Sequence, residues 1–172
     1  MRVLGAILGG GQSSRFGSDK AAALLQGRPL MDHVLDGLLP HVERAVTVGR
    51  DWPDLTRVDD LPEPGQGPLG GLLGALTLGQ GEGFDLVLTC GCDTVGLTHD
   101  VVEALSPAPA VLDALPIVGL WPVGLSGALK GWMSDPANRS VYRFADHMGA
   151  RRVVVQRPPA NINRPEDLAK LT

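Results

Sequence analysis

The stretch ILGGGQSSRFGSDK, residues 7–20, places three consecutive glycines, an arginine and a lysine directly after a short apolar run. Glycines that follow a strand allow backbone amides to point at an anion, because no side chain stands in the way. Arg15 and Lys20 add two cations, and a triphosphate needs several separate positive partners. The loop therefore predicts a polyphosphate-binding site. The alternative is a strand-to-helix turn that needs only glycine's conformational freedom.

The apolar pattern around this loop predicts alternating strands and helices. Residues 2–8 are typical of a short buried strand, and apolar residues recur at helical spacing from Pro29 to Leu39. The alternation predicts an α/β fold with a mostly parallel sheet covered on both faces. Further strands are predicted at 44–49, 84–90 and 150–156 and as a pair within 110–120, and further helices at 67–76, 99–105, 124–133, 138–148 and 163–171.

Length and composition restrict the classes of protein to which the chain can belong. The 172 residues suit one domain, which we place at 1–172, and a composition of 44% apolar and 20% charged residues is typical of a globular protein. A net charge of −4 argues against general binding to nucleic acid or to an anionic membrane. There is no apolar stretch of about 20 residues, no export signal and no disulfide framework. We therefore expect a cytoplasmic protein.

A second candidate site residue follows the predicted strand at 84–90. Ligands of parallel sheets bind beyond the carboxyl ends of the strands, where the glycine loop and the segment GCDT, residues 91–94, both lie. Asp93 is a suitable ligand for Mg²⁺, which prefers oxygen donors and often uses only one or two from the protein. The alternative is that Asp93, followed by Thr94, simply stabilises a turn. Cys90 and Cys92 lack the paired spacing of a zinc site.

Four segments of the chain resemble one known family. LGGGQSSRFGSDK…GRPL is similar to L-x-G-G-x-S-x-R-[MF]-G-x-D-K followed by G-x-P-L, the signature of nucleotidyltransferases that include the molybdenum cofactor guanylyltransferases (the MobA-like family). Three later segments, VDDLPEPGQGPLGG, CGCDTVGLTHDVVEAL and NINRPEDL, resemble family segments in the same order. The resemblance implies a three-layer α/β/α, Rossmann-like domain of the nucleotide-diphospho-sugar transferase type.

The resemblance also implies an activity. It is the Mg²⁺-dependent transfer of GMP from GTP to the phosphate of molybdopterin, with release of pyrophosphate. Arg15, Lys20 and Asp93 would be the catalytic residues, with Asp93 holding the metal and Lys20 and Asp93 contacting the nucleotide. The resemblance also implies transient contacts with other proteins of molybdenum cofactor biosynthesis, or with acceptor proteins.

The remaining site residues come from the same comparison of motifs. Leu8, Gly9 and Gly10 correspond to the segment that packs against the base and sugar, and Asp60 to an aspartate that recognises the guanine nucleotide. The resemblance implies that the NIN segment places Asn161 and Asn163 beside the phosphates and the metal. Both residues also suit structural roles, Asn161 in a turn and Asn163 as a helix N-cap.

The chain departs from the family pattern at several places, two of which concern the base site and the metal site, and other functions remain open. Gly49 stands where the family commonly has asparagine in A-N-R, which bears on guanine specificity, and glycines replace prolines around Asp93. The alternatives are a molybdenum cofactor cytidylyltransferase, a sugar-1-phosphate nucleotidyltransferase, which normally carries a larger sugar-binding region, and a catalytically weak nucleotide-binding regulator of cofactor delivery.

Overall fold

A seven-stranded sheet forms the centre of the computed structural model, which describes residues 1–9 and 21–162. Two further pairs of short strands lie outside this sheet. The strands of the sheet are β1 (Val3–Leu8), β4 (Arg44–Val48), β5 (Thr56–Val58), β6 (Leu86–Gly91), β8 (Ala110–Leu112), β9 (Gly119–Pro122) and β10 (Arg151–Val153). The short pairs are β2 (Leu24–Leu25) with β3 (Arg28–Pro29), and β7 (Thr94–Val95) with β11 (Ala160–Asn161).

The strands of the sheet follow the order β10, β8, β9, β6, β1, β4, β5. All neighbouring pairs are parallel except the two that involve β9, which runs antiparallel to both β6 and β8. The sheet is therefore mostly parallel, as the sequence pattern predicts. Its parallel strands end at one common edge, where Gly9 at the end of β1 and the segments after β4, β5 and β6 lie.

Helices cover both faces of the sheet. Buried side chains along the strands alternate between two apolar clusters, one on each face, and the helices complete these clusters. Leu4 and Ala6 of β1 belong to one cluster, and Ile7 belongs to the other. The first face carries α2 (Gly67–Gly81), α4 (Ser126–Trp132) and α5 (Val141–His147), whereas the second carries α1 (Leu30–Leu38) and α3 (His99–Ala104). This is the three-layer arrangement that the sequence predicts.

The predicted elements within the described residues are all found, with shifts at their ends. The helix predicted from residue 67 continues to Gly81, and the one predicted from residue 138 begins at Val141. The sequence pattern missed β5 and the four strands of the two short pairs, since segments of two or three residues are too short to show periodicity. The helix predicted at 163–171 lies outside the described residues.

Apolar helices of the length needed to cross a bilayer are absent from the part of the chain that the structure describes.

Candidate active site

The sequence-predicted residues that the structure describes gather at the carboxyl edge of the sheet. Leu8 and Gly9 lie at the end of β1, and Asp93 follows the end of the adjacent β6. Asp60 follows β5, two strands from β1 on its other side. The sheet thus brings together residues separated by up to 85 positions in the sequence, between Leu8 and Asp93.

The Asp93 side chain folds back over its own strand end. It is only 6% exposed, and a Cβ atom built on Gly91 would lie 2.6 Å from its Oδ1. The Gly91 N–H donates to Oγ1 of Thr94 at 2.9 Å, which closes the turn around the carboxylate. Gly91 therefore leaves a space that the Asp93 carboxylate fills, and any larger residue at this position would displace it.

Asn161 is joined to the Asp93 loop by backbone hydrogen bonds. Strands β7 and β11 are antiparallel and pair Asn161 with Thr94, the residue after Asp93. The Ile162 N–H donates to the Asp93 carbonyl oxygen at 3.1 Å. The C-terminal segment and the Asp93 loop therefore form one unit, although they are about 70 residues apart in sequence.

Leu8 and Asp60, the two residues predicted to contact the nucleoside, meet on the face that carries α2. A Cβ atom built on Gly71 of α2 would lie 3.2 Å from Cδ2 of Leu8, 3.3 Å from Cγ1 of Val48 and 3.7 Å from Oδ1 of Asp60. The glycine lets α2 approach the strand ends closely. Both predicted contacts therefore line the same small region beside the first turns of α2.

The Asp60 carboxylate is buried and hydrogen-bonded. It is 7% exposed, and it accepts hydrogen bonds from the backbone N–H groups of Gly65 and Gln66, just before α2. Burial raises the pKa of the Asp60 carboxyl above its ordinary value, and the nearby Asp59 charge adds to this rise, while the two amides oppose it. Asp60 therefore orders the loop before α2 and retains acceptor capacity for a ligand.

Arg50 is a cation at this edge that sequence reasoning missed. Its side chain crosses the end of β1, since a Cβ atom built on Gly9 would lie 2.7 Å from Cδ of Arg50 and 3.4 Å from Cβ of Cys92. Oγ1 of Thr47 donates to the Arg50 carbonyl at 2.8 Å and fixes its backbone. The sequence did contain an indication of this residue, because Arg50 directly follows the strand predicted at 44–49, and that strand ends at the binding edge.

The donors near Asp93 suit a hard cation. The carboxylate of Asp93 and the nearby Asn161 are oxygen donors, the type that Mg²⁺ prefers. Cys90 and Cys92 are both buried, and burial raises the pKa of the Cys90 thiol, which keeps it protonated and a poor metal ligand. Within residues 1–9 and 21–162 no three His, Cys, Asp or Glu side chains converge on one point. One protein carboxylate together with substrate phosphates fits Mg²⁺.

An apolar cleft opens beside Leu8. It lies between α2, α5 and the loop that joins β8 to β9. In its wall, Oγ1 of Thr89 accepts a hydrogen bond from Nε1 of Trp121 at 3.2 Å and donates to the Ile117 carbonyl at 2.8 Å. The cleft is lined by Leu8, Pro68, Leu72, Thr89, Pro116, Ile117, Trp121 and Val141.

Four of the sequence-predicted residues lie outside the described residues: Gly10, Arg15, Lys20 and Asn163. Their predicted roles remain predictions. The roles of Leu8, Gly9, Asp60, Asp93 and Asn161 are also predictions, but the structure places these five residues at one edge of the sheet.

Comparison with protein families and curated proteins gives consistent matches. Residues 5–159 match the profile of the MobA-like NTP transferase domain. A protein of Cereibacter sphaeroides named molybdenum cofactor guanylyltransferase is 36% identical over 185 residues, with 99% of this chain and 95% of that protein covered. A probable molybdenum cofactor guanylyltransferase of Deinococcus radiodurans is 38% identical over 196 residues, with 97% and 92% covered.

Solved structures show the same fold. Molybdopterin-guanine dinucleotide biosynthesis protein A from Archaeoglobus fulgidus superposes with a TM-score of 0.70 at 20% identity, covering 99% of this chain and 96% of that one. A 4-diphosphocytidyl-2C-methyl-D-erythritol synthase gives a TM-score of 0.69 at 14% identity, covering 99% of this chain and 98% of that one. At these identities the similarity establishes the fold, a nucleotidyltransferase fold of the nucleotide-diphospho-sugar transferase type.

Proposed function

The chain belongs to the MobA-like NTP transferase domain family, and from that premise we propose that it acts as a molybdenum cofactor guanylyltransferase. Its substrates would be GTP and a molybdopterin-type acceptor. The observation that carries the proposal is the meeting of Leu8 and Asp93 at the ends of the adjacent strands β1 and β6, with Asn161 paired to the residue after Asp93. This edge is where parallel sheets bind nucleotides.

The reaction is a phosphoryl substitution. An oxygen of the acceptor's phosphate attacks the α-phosphorus of GTP, a new P–O bond forms, the bond to the β-phosphate breaks, and pyrophosphate leaves. The attacking phosphate is already ionised near neutral pH, because its second pKa is about 6. The chain therefore needs to supply position and charge rather than a strong base.

Each residue then has a defined task. Asp93 would hold Mg²⁺, and the metal would supply positive charge for the phosphates. Arg15 and Lys20 neutralise the phosphates, and Asn161 and Asn163 supply polar contacts near them. Leu8, Gly9 and Gly10 pack against the base and sugar, and Asp60 accepts hydrogen bonds from the base.

Guanine specificity would depend on Asp60, since Gly49 has no side chain to contribute. Gly49 has φ +78° at the end of β4, a conformation that favours glycine or asparagine. A buried carboxylate acceptor suits the paired N–H donors of guanine. The main alternative is transfer of a cytidylyl group at the same site. Gly49 is compatible with it, because glycine has no side chain that could select guanine over cytosine.

The test is pyrophosphate release from each of the four nucleoside triphosphates, with molybdopterin and Mg²⁺ present. We expect release with GTP that requires both the acceptor and the metal. Release with CTP instead would identify a cytidylyltransferase. GTP binding without pyrophosphate release would favour the nucleotide-binding regulator of cofactor delivery.

We place this activity in the cytoplasm, since its proposed substrates are small soluble molecules. Transient contact with other proteins of molybdenum cofactor biosynthesis, or with acceptor enzymes, would deliver the acceptor or receive the product. Nucleic acid and membrane are not expected partners, because the net charge of −4 gives no general attraction to either.

A further inference from the structure

The ends of β4, β1 and β6 are joined by backbone hydrogen bonds. The Gly9 N–H donates to the Val48 carbonyl oxygen at 3.1 Å, and the Cys92 N–H donates to the Leu8 carbonyl oxygen at 3.3 Å. Gly9 therefore lies between the last residue of β4 on one side and the residue before Asp93 on the other. These bonds hold the three strand ends together as one surface.

Arg50 crosses this surface from the end of β4. The chain turns back at Gly49, which has φ +78° and donates its N–H to the Val58 carbonyl oxygen at 2.8 Å. The Thr47 hydroxyl donates to the Arg50 carbonyl at 2.8 Å. The Arg50 stem then passes over Gly9, because a Cβ atom built there would lie 3.3 Å from its Cγ and 2.7 Å from its Cδ. A glycine at the turn and a glycine under the stem thus place this side chain.

Arg50 lies on the opposite face of the sheet edge from the predicted nucleoside contacts. The Cβ position on Gly9 is also 3.4 Å from Cβ of Cys92, which packs in the cluster of α1 and α3. Leu8 and Asp60 face α2 instead, as expected because successive residues of a strand point to opposite faces. A nucleotide with its base beside Leu8 and Asp60 can therefore reach Arg50 with its phosphates but not with its base.

The charge of Arg50 suits those phosphates. Asp60 and Asp93 are buried carboxylates at the same edge, and both would repel a polyphosphate. The guanidinium of Arg50 begins one bond beyond Cδ, so its positive charge lies beside the end of β1. It is always protonated, and its planar set of N–H donors matches the oxygens of a phosphate. Arg50 is also partly buried, which strengthens its attraction to an anion compared with a fully exposed side chain.

We propose that Arg50 binds the phosphates of the nucleotide, on the other side of Gly9 from Asp93. This inference rests on the proposed function and adds to it a binding residue with a defined ligand, the polyphosphate. It predicts that Arg50 contributes to the affinity for a nucleoside triphosphate and contributes nothing to the affinity for the nucleoside alone.

The experiment measures the Kd for GTP and for guanosine by calorimetry, with Mg²⁺ present. It compares wild type with Arg50→Met, Arg50→Lys and the control Arg44→Met. Methionine keeps an unbranched apolar stem over Gly9 and removes the charge, whereas lysine keeps the charge and loses the planar donor group. Arg44 lies at the other end of β4, where it makes an ion pair with Glu82 at 2.9 Å.

We expect Arg50→Met to weaken GTP binding about tenfold or more, because a charge-assisted hydrogen bond to phosphate is lost. Its affinity for guanosine should stay within about twofold of wild type. Arg50→Lys should lose less GTP affinity than Arg50→Met, and Arg44→Met should bind both ligands as wild type does. The inference is overturned if folded Arg50→Met keeps its GTP affinity, or if it loses affinity for GTP and guanosine equally, as a purely structural role would cause.

Because Arg50→Met could unfold the chain, labelling of the wild-type protein gives a second measurement. Phenylglyoxal reacts with arginine side chains, and mass spectrometry of the peptide that contains Arg50 measures the rate. GTP with Mg²⁺ at about ten times its Kd should slow this labelling about tenfold, since little free protein remains. Guanosine at the same multiple of its own Kd should not slow it. If the variant does not fold, equal labelling rates with and without GTP overturn the inference.

The wild-type affinities separate this inference from the proposed function. Wild-type protein that binds neither GTP nor guanosine would overturn both. Wild-type protein that binds GTP, together with a folded Arg50→Met variant of the same affinity, would overturn only the role of Arg50.

Discussion

At the carboxyl end of β6, the Asp93 carboxylate occupies the space in which a side chain at position 91 would lie. The glycine and the aspartate are therefore one feature, since the carboxylate can fold back over the strand only because Gly91 has no Cβ. The pairing of Asn161 with Thr94 adds a second segment to this turn. Such a rigid support is what an electrostatic group needs in order to act without reorganising.

Replacing Asp93 by alanine tests its predicted role directly. We expect turnover, measured as pyrophosphate release at saturating GTP, to fall about 100-fold or more, because the proposed Mg²⁺ site would lose its carboxylate ligand. Lys20→Ala should lower turnover to a similar degree. The matched control is Asp113→Ala, which removes another carboxylate just after a strand, one that makes an exposed ion pair with Arg152 at 3.5 Å. Wild-type rates in both Asp93→Ala and Lys20→Ala would defeat the assignment.

Asp60 offers a test in which stability and function change in opposite directions. Burial raises the pKa of the Asp60 carboxyl, so the folded protein holds its proton more tightly than the unfolded chain does. Wild-type stability therefore declines as pH rises from the unfolded pKa, about 4, through the raised folded pKa. Asp60→Asn lacks this decline, and it should be at least as stable as wild type at pH 7.

The same substitution should weaken GTP binding about tenfold or more, since a neutral amide replaces a charged hydrogen-bond acceptor. Urea unfolding between pH 4 and 8 measures the stability difference, and calorimetry measures the affinity. Loss of stability at pH 7 combined with unchanged affinity would mean that Asp60 serves only to hold Gly65 and Gln66.

Among the elements, α2 depends most on its glycines. Its Gly74 lies against the segment after β5, where an added Cβ would be 2.3 Å from the Asp59 carbonyl oxygen. Gly71 likewise allows contact with Leu8 and Val48. The helix can therefore pack this closely against the ends of β1 and β4 and the segment after β5 only with small residues on this face, although glycine lowers its intrinsic helix propensity.

Two glycine-to-alanine substitutions in α2 should have opposite effects. Gly74→Ala is expected to destabilise the protein by about 1–3 kcal/mol, because the methyl group meets backbone that cannot yield easily. Gly81→Ala, at the end of the same helix with nothing within 4 Å, should stabilise it by about 0.4–1 kcal/mol. The midpoints of urea unfolding measure both changes. Equal effects would show that α2 does not approach the Asp59 segment this closely.

In the whole molecule, the site is assembled by strand order. Strands β6, β1, β4 and β5 are neighbours in the sheet, and their ends bring Asp93, Gly9, Arg50 and Asp60 to one edge. A ligand that spans this edge contacts loops from four parts of the sequence, so it binds only the folded chain. Ligand binding should therefore be visible in the stability of the entire protein.

GTP with Mg²⁺ at 100 times its Kd should stabilise the folded protein by about 2.7 kcal/mol. For a chain of this size the melting temperature would rise by roughly 5–10 °C, which calorimetry or a thermal shift assay can measure. In Asp93→Ala, most of the additional rise in melting temperature that Mg²⁺ produces should be lost. An equal rise with GTP and ATP would argue against a guanine-selective site.

The local pattern predicted most of the architecture. Apolar runs ended by glycine marked β1 and β6, and helical spacing marked α1 and α2, because burial of one face imposes a period on the sequence. The order of strands and helices then predicted a mostly parallel sheet and the edge at which a site should form. The motifs around Asp60 and Asp93 supplied the expected chemistry.

Tertiary structure alone decided which residues support that chemistry. The crossing of Arg50 over Gly9 and the packing of Ile162 against Leu25 and Leu30 join segments that are distant in sequence, and the space that Gly91 leaves for Asp93 depends on how the chain turns after β6. Such contacts leave no period in the chain, because each depends on where two separate segments end in space. The sequence by itself therefore determined the layers and the candidate residues, and the packing of the sheet edge determined how they are held together.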